Sequence, residues 1–150
     1  MGDPLDIITM AHASGMLSLD GLARLAAVGE RRSFAKDDLV MKQGDAATSL
    51  FVLLSGEVSV VREHPDLSEP VQLAILGPGE VVGEMGLLDG EARSATVTAL
   101  GPMVAMEIGA GQLEEIVERF PEVYGALVKV LSKRLRKTDE LAAEIKSRTA

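Results

Sequence analysis

The stretch GEMGLLDGEARSATV, from Gly83 to Val97, sets Glu84 and Arg93 on either side of an apolar run and an Asp-Gly turn. Its methionine and leucines are typical of a buried element, whereas a glutamate and an arginine are typical of a surface. Burying a charge is costly unless the charge is paired. The sequence therefore predicts that something holds Glu84 and Arg93, either each other or a ligand.

Taken by itself, the stretch has the parts of a phosphate site. Gly83 permits a close approach or a backbone conformation that a side chain would forbid, and residues 84–88 can form a single helical turn whose free N–H groups favour an anion. Arg93 follows Glu84 by nine residues and can present a planar donor fork to phosphate oxygens. With Glu84 as an acceptor for a hydroxyl, the segment suits a phosphorylated sugar. The alternative is an ion pair between the two charges that pins the loop.

Around this stretch, residues 30–108 divide into eight short runs of β-forming residues separated by turn signals. Eight short strands punctuated in this way predict an antiparallel sandwich or barrel, often a jelly roll. The runs are ERRSF, LVMK, SLFVLLS, EVSVVRE, VQLAIL, EVVGE, SATVTAL and MVAMEI.

Helical patterns flank the β region, so the predicted fold class is α+β. All residues from 1 to 150 are expected to form one domain, with N-terminal helices at 4–28, the β jelly-roll barrel of about eight strands at 30–108 and C-terminal helices at 110–147. Pro121 is well placed to begin a long final helix. That helix carries an apolar stripe, which suits either packing on the barrel or pairing with a partner helix: Val123, Leu127, Leu131, Leu135, Leu141 and Ile145.

Composition excludes several classes of function. The chain has no cysteine, which removes disulfides, zinc-thiolate sites and thiol nucleophiles and favours a cytoplasmic location. No apolar run approaches the roughly 18 residues that a membrane helix needs, so no membrane segment is expected. The formal net charge of −8 disfavours generic binding to a nucleic-acid backbone, because that binding needs a basic face.

The residues quoted above carry a family resemblance. GEMGLLDGEARSATV resembles the phosphate-binding cassette of cyclic nucleotide-binding domains, whose usual form is Gly-Glu, an apolar residue, Ala or Gly, Leu, a variable turn, then Arg, a small residue, Ala and Thr or Ser. Ala92 departs from the pattern, because many members have proline before the arginine. The resemblance covers roughly residues 20–145, and its upstream landmarks are Phe34, Leu39, Gly44-Asp45, Leu50-Phe51-Val52, residues 54–58 and Gly77-Pro78-Gly79.

The resemblance implies roles for individual residues. Arg93 is expected to bind the cyclic phosphate and Glu84 to accept the ribose 2′-hydroxyl. Ser94 offers a hydroxyl to the phosphate or to a guanine. Backbone groups of four further residues complete the implied cradle: Gly83, Met85, Gly86 and Leu87.

Arg134, in the predicted long helix, resembles the arginine that nucleotide-gated bacterial channels close over the purine as a lid. Such a cation–π contact stabilises by about 0.5–2 kcal/mol. The alternative for the basic run at 133–137 is a solvated helix face.

The function that the resemblance implies is a cyclic nucleotide sensor without catalysis, with cAMP as the expected ligand and cGMP as the alternative. The C-terminal helix would carry the output to a homodimer partner or an attached effector domain. Relatives that are transcription factors continue into a helix-turn-helix, whereas this chain stops at Ala150. The expectation is that this chain does not bind nucleic acid.

Two rival functions have less support in the sequence. A cupin-type metal enzyme needs clustered histidines, and the chain offers only His12 and His64, far apart in the sequence. The second rival is an interaction module that has lost nucleotide binding and uses the barrel and long helix for assembly. Retention of both Glu84 and Arg93 disfavours that module.

Overall fold

The computed structural model describes residues 24–25, 27–84, 90–125 and 127–128. Within them lie eight strands, as predicted, followed by a ten-residue helix, α1. Their bounds are β1 Glu30–Phe34, β2 Leu39–Met41, β3 Ser49–Ser55, β4 Val58–Arg62, β5 Val71–Leu76, β6 Val81–Val82, β7 Thr96–Ala99, β8 Met103–Gly109 and α1 Ala110–Arg119.

The strands form two four-stranded sheets, in the orders β1-β8-β3-β6 and β2-β7-β4-β5. All the strand pairs are antiparallel. Apart from β4 and β5, neighbours in a sheet come from distant parts of the chain, as in a jelly roll; β8, for example, lies between β1 and β3. The predicted antiparallel jelly-roll fold with helices beside it is confirmed.

Strand β3 is covered on both faces, which explains why SLFVLLS is continuously apolar instead of alternating. Leu50 and Val52 belong to the cluster shared with the helical residues. Phe51 and Leu53, which alternate with them, belong to the second cluster, between the two sheets. Because both faces of β3 are buried, this strand positions the helices and the opposite sheet at once.

The helical layer packs on the sheet that contains β3 and β8. The first two members of the predicted apolar stripe, Val123 and Leu127, are buried there, so packing on the protein itself is the observed role for these two residues. Fully burying such a side chain stabilises by about 1.5–3 kcal/mol. The remaining members of the stripe lie outside the described residues. The buried members of the cluster are Leu25, Leu50, Val52, Val81, Ile108, Leu113, Ile116, Val123 and Leu127.

An arginine joins the two ends of the helical layer. Arg24 places its guanidinium carbon 3.5 Å from the centre of the Phe120 ring. Its Nε lies 3.4 Å from a carboxylate oxygen of Glu122. The helical residues before the barrel therefore contact the segment that follows α1 directly. None of the helices in the described part of the chain is long and apolar enough to span a membrane.

Four of the predicted strands, β2, β4, β6 and β7, are shorter than their sequence runs. The end of β6 and the start of β7 are shortened at the same place. β6 ends at Val82, because Gly83 adopts φ +85°, which takes the chain out of the extended conformation. Glu84 is then helical. β7 begins at Thr96, two residues later than the run SATVTAL begins. The residues between the end of β6 and the start of β7 therefore belong to the stretch quoted above.

Candidate functional site

Gly83 makes room for Arg93 at the end of β6. A Cβ at position 83 would lie 2.5 Å from Arg93 Nη1 and 2.8 Å from the terminal methyl of Met41. The backbone at this position also has φ +85°, which residues other than glycine rarely adopt. Both space and conformation therefore require glycine here.

Arg93 is buried, with 7% of its surface exposed, and oxygen atoms of the protein surround its guanidinium. Nη1 donates to the backbone oxygen of Ser49 at 2.6 Å and to that of Gly83 at 3.2 Å. Nη2 donates to Ser49 Oγ at 3.4 Å. These acceptors hold the side chain inward, against the start of β3.

The backbone of Arg93 is also fixed, by the loop that follows β2. Arg93 N–H donates to the backbone oxygen of Asp45 at 2.8 Å, and Gly44 N–H donates to the backbone oxygen of Arg93 at 3.0 Å. These two bonds pair residues 44–45 with Arg93 in the manner of a short ladder. The Gly-Asp landmark of the sequence thus has a physical role, because it anchors the arginine.

Opposing electrostatic effects act on the buried charges. Burial lowers the pKa of Arg93, whereas the negative charges of Glu107 and Asp45 act to raise it. Burial acts to raise the pKa of Glu107, but hydrogen bonds from Ser49 and Arg32, together with the charges of Arg32 and Arg93, outweigh it and the pKa is lowered. Arginine remains protonated in proteins, so the site keeps a positive charge in a mostly desolvated position.

Glu84 is the second buried charged residue of the site, with 1% of its surface exposed. It lies next to Gly83, whose carbonyl accepts from Arg93. A buried glutamate and a buried arginine therefore lie on either side of residues 85–92 along the chain. Such a pair offers a donor fork to an anion and an acceptor to a hydroxyl.

Of the predicted site residues, Gly83, Glu84, Arg93 and Ser94 lie together in the structure. Ser94 follows Arg93 and is partly buried. Met85, Gly86, Leu87 and Arg134 lie outside the described residues, so their roles stay predictions.

Two residues that hold Arg93 were missed by the sequence reasoning. Ser49 contacts the guanidinium, and Glu107 is the residue to which the Ser49 hydroxyl donates, at 2.7 Å. A signal for Glu107 was available, since it is the sole acidic residue in the apolar run MVAMEI. An acid in a run otherwise suited to burial indicates a polar partner nearby.

The chain belongs to the cyclic nucleotide-binding domain family. Residues 31–120 match the family model of the cyclic nucleotide-binding domain. This range contains all eight strands except for the first residue of β1, together with α1 and the described site residues. The predicted family is confirmed.

Three similar proteins illustrate the family. The cyclic AMP receptor protein of Thermus thermophilus is 34% identical over 110 residues, which are 73% of this chain and 50% of that protein. The c-di-GMP responsive global regulator CLP of Xanthomonas campestris has a structure with a TM-score of 0.74 and 28% identity, covering 85% of this chain and 64% of that chain. The structure of the N-terminal domain of a transcriptional regulator from Streptomyces coelicolor A3(2) matches with a TM-score of 0.63 and 33% identity. The match covers 93% of this chain and 90% of that chain.

The prediction that this chain does not bind nucleic acid is wrong. Relatives that match it are named as regulators of transcription or of gene expression. The chain spans about half the length of the first curated relatives that it matches. The net charge of these 150 residues and the point at which the given sequence stops give no ground for excluding nucleic acid from the protein's partners.

Proposed function

We propose that this domain is a cyclic nucleotide sensor whose ligand is cAMP. The observation that carries the proposal is the buried guanidinium of Arg93, whose hydrogen-bond acceptors named above are uncharged oxygens of Ser49 and Gly83. A phosphate oxygen is a stronger acceptor for a guanidinium than a carbonyl or a hydroxyl, because its negative charge assists the bond. An anion that reaches Arg93 therefore improves on the contacts that the protein provides.

The remaining roles follow from the positions of the neighbours. Glu84, buried beside Gly83, is proposed to accept the ribose 2′-hydroxyl, and Ser94 to add a hydroxyl donor. Backbone groups of 83 and 85–87 would complete the contacts to the phosphate. cAMP is the first choice because a relative with 34% identity is named a cyclic AMP receptor protein. cGMP is the alternative, and c-di-GMP enters the test because one structural relative is named as responsive to it.

The output is proposed to pass through the helix that follows Pro121. Val123 and Leu127 pack on the β3 side of the barrel, in the same cluster as α1. A ligand that favours one placement of this helix would shift an equilibrium between two placements, with Arg134 proposed as a lid over the base. The domain is proposed to act without catalysis, in the cytoplasm, on a homodimer partner or an attached effector domain.

Calorimetric titration with cAMP, cGMP and c-di-GMP tests the proposal. Arg93→Ala should lower the affinity for the preferred nucleotide at least about tenfold, because a charged hydrogen bond contributes about 1.5–3 kcal/mol. Arg62→Ala is the matched control, since Arg62 is exposed at the end of β4 and should leave the affinity unchanged.

Two results would contradict the proposal. A folded Arg93→Ala variant with wild-type affinity would remove Arg93 from the phosphate contact. A folded, ligand-free wild-type protein that binds none of the three nucleotides would favour the interaction module, with the barrel and long helix used for assembly.

A further inference from the structure

Ser49 joins the guanidinium of Arg93 to a carboxylate on the neighbouring strand. Its hydroxyl donates to Glu107 Oε2 at 2.7 Å, and the other carboxylate oxygen, Oε1, accepts from Arg32 Nε at 2.9 Å. Ser49 is only 5% exposed. A continuous polar chain therefore runs from Arg32 on β1, through Glu107 on β8 and Ser49 on β3, to the candidate ligand site.

The strand register creates this chain of contacts. In the β3–β8 pair, Ser49 lies opposite Gly109, and Glu107 lies opposite Phe51. Ser49 and Glu107 are thus diagonal neighbours, at a separation of about 7–8 Å that long side chains can cross. The register is fixed by a buried strand, so the carboxylate reaches the serine as a consequence of the fold.

The direction of the hydrogen bond from the Ser49 hydroxyl determines which lone pairs of Ser49 can accept from Arg93. A hydroxyl has one proton, and the Ser49 proton is donated to Glu107. The lone pairs of Oγ are then left for Arg93 Nη2, at 3.4 Å, while the backbone oxygen of the same serine accepts from Nη1 at 2.6 Å. Two nitrogens of one guanidinium are held by one residue, which restricts both the position and the plane of the group.

We propose that Glu107, acting through Ser49, is a positioning residue that presents the Arg93 guanidinium to an anionic ligand. The inference rests on the proposed function, in which Arg93 receives the cyclic phosphate. A guanidinium that is already oriented loses less rotamer freedom when the phosphate arrives, and this strengthens binding.

Direct repulsion between Glu107 and the ligand is the opposing effect. A free carboxylate near the site would disfavour an anion, but the charge of Glu107 is paired with Arg32 at 2.9 Å. Arg32 offsets part of that repulsion, and the effect of Glu107 on the Ser49 hydroxyl remains. Glu107→Gln should therefore weaken nucleotide binding, whereas simple repulsion would have strengthened it.

The test is a double-mutant cycle read by calorimetry with cAMP and cGMP. Ser49→Ala and Glu107→Gln should each lower the affinity about three- to tenfold, the range expected for losing the orientation of one side chain. The double variant should be no weaker than Ser49→Ala alone, because Glu107 acts through the serine. Ser49→Thr keeps the hydroxyl and should bind the nucleotide with nearly wild-type affinity.

Glu30→Gln is the matched control for Glu107→Gln. Glu30 also pairs with Arg32, at 3.3 Å, and its loss changes the net charge equally. It is exposed at the outer strand β1, so its removal should leave the affinity unchanged. Additive losses in the double variant, tighter binding by Glu107→Gln, or an equal loss in Glu30→Gln would each overturn the inference.

A second measurement needs no nucleotide. In ligand-free protein, the guanidinium ¹⁵N–¹H signals of Arg93, assigned with Arg93→Lys, should show slow rotation of the Nη groups. Ser49→Ala and Glu107→Gln should speed that rotation, and Ser49→Thr should not. Unchanged rotation in both variants would overturn the positioning role. Failure of the wild-type protein to bind either nucleotide would overturn the proposed function, while these spectra would still decide whether Glu107 orients Arg93.

Discussion

Gly83 and Arg93 depend on each other at the scale of single residues. The guanidinium occupies the space where a Cβ at position 83 would lie, and it donates to the carbonyl of the same glycine. The left-handed backbone of Gly83 turns that carbonyl toward the arginine as the chain leaves β6. A site built in this way tolerates change at neither position.

Replacing Gly83 by alanine should therefore do more than strain the backbone. The strain alone costs about 1–3 kcal/mol, and the added methyl would also displace Nη1, which lies 2.5 Å from the ideal Cβ position. We expect Gly83→Ala to lower both the melting temperature and the affinity for cAMP. Calorimetry and thermal unfolding measure the two effects.

Gly90→Ala separates strain from displacement. Gly90 also has a left-handed backbone, with φ +75°, but a Cβ there would meet no atom of the described residues within 4 Å. Gly90→Ala should lower the melting temperature by about as much as Gly83→Ala does, but should change the affinity for cAMP far less. Equal losses of affinity in the two variants would show that Arg93 is not displaced by the methyl group.

At the scale of elements, strand β3 connects the core to the site. Its interior residues are buried on both faces, and its first residue, Ser49, contacts Arg93. The strand pairs with β8 and with β6, so it also sets the position of Gly83 and of Glu107. The site inherits its geometry from the best-packed strand among the described residues.

Leu53 tests how much that packing contributes. Leu53 is fully buried between the sheets, so Leu53→Ala should lower the free energy of unfolding by about 2–5 kcal/mol. Leu39→Ala removes the same atoms from a strand residue that is 56% exposed and should cost much less. Urea denaturation of both variants checks the difference, and similar losses would contradict the burial of Leu53 between the sheets.

The sequence predicted the parts of the site that are near each other along the chain. Gly83, Glu84 and Arg93 fall within one stretch, and their spacing was sufficient to suggest a phosphate site. Ser49 and Glu107 are 58 residues apart and meet only through strand pairing. No periodicity or composition determines a register between strands so far apart, so the isolated acid at Glu107 could be noticed in the sequence but its contact with Ser49 could not be predicted.

At the scale of the whole molecule, the sheet that contains β3 and β8 lies between the helical layer and the second sheet, and it contributes buried residues to both sides. The cluster between the sheets and the cluster under the helices both draw on β3 and β8. Eight strands and their antiparallel fold class were predictable, because short β-forming runs alternated with turn signals. The order β1-β8-β3-β6 was not, since it depends on contacts between distant runs.

Ligand binding should stabilise the whole molecule if the proposed function is correct. A ligand at a hundred times its Kd adds about 2.7 kcal/mol to the free energy of unfolding, which raises the Tm of a domain of this size by roughly 5–10 °C. Differential scanning calorimetry with cAMP should show this shift for the wild-type protein and little of it for Arg93→Ala. An equal shift in both proteins would place the nucleotide away from Arg93.

The stacking of Arg24 on Phe120 has a mechanical consequence. Arg24 belongs to the helical residues before the barrel, and Phe120 and Glu122 belong to the segment after α1. If the segment after α1 moves, it must either break the stack and the ion pair or take the residues around Arg24 with it. In the second case the residues around Arg24 and the segment after α1 move together, and one binding event changes the position of two segments that are far apart in the sequence.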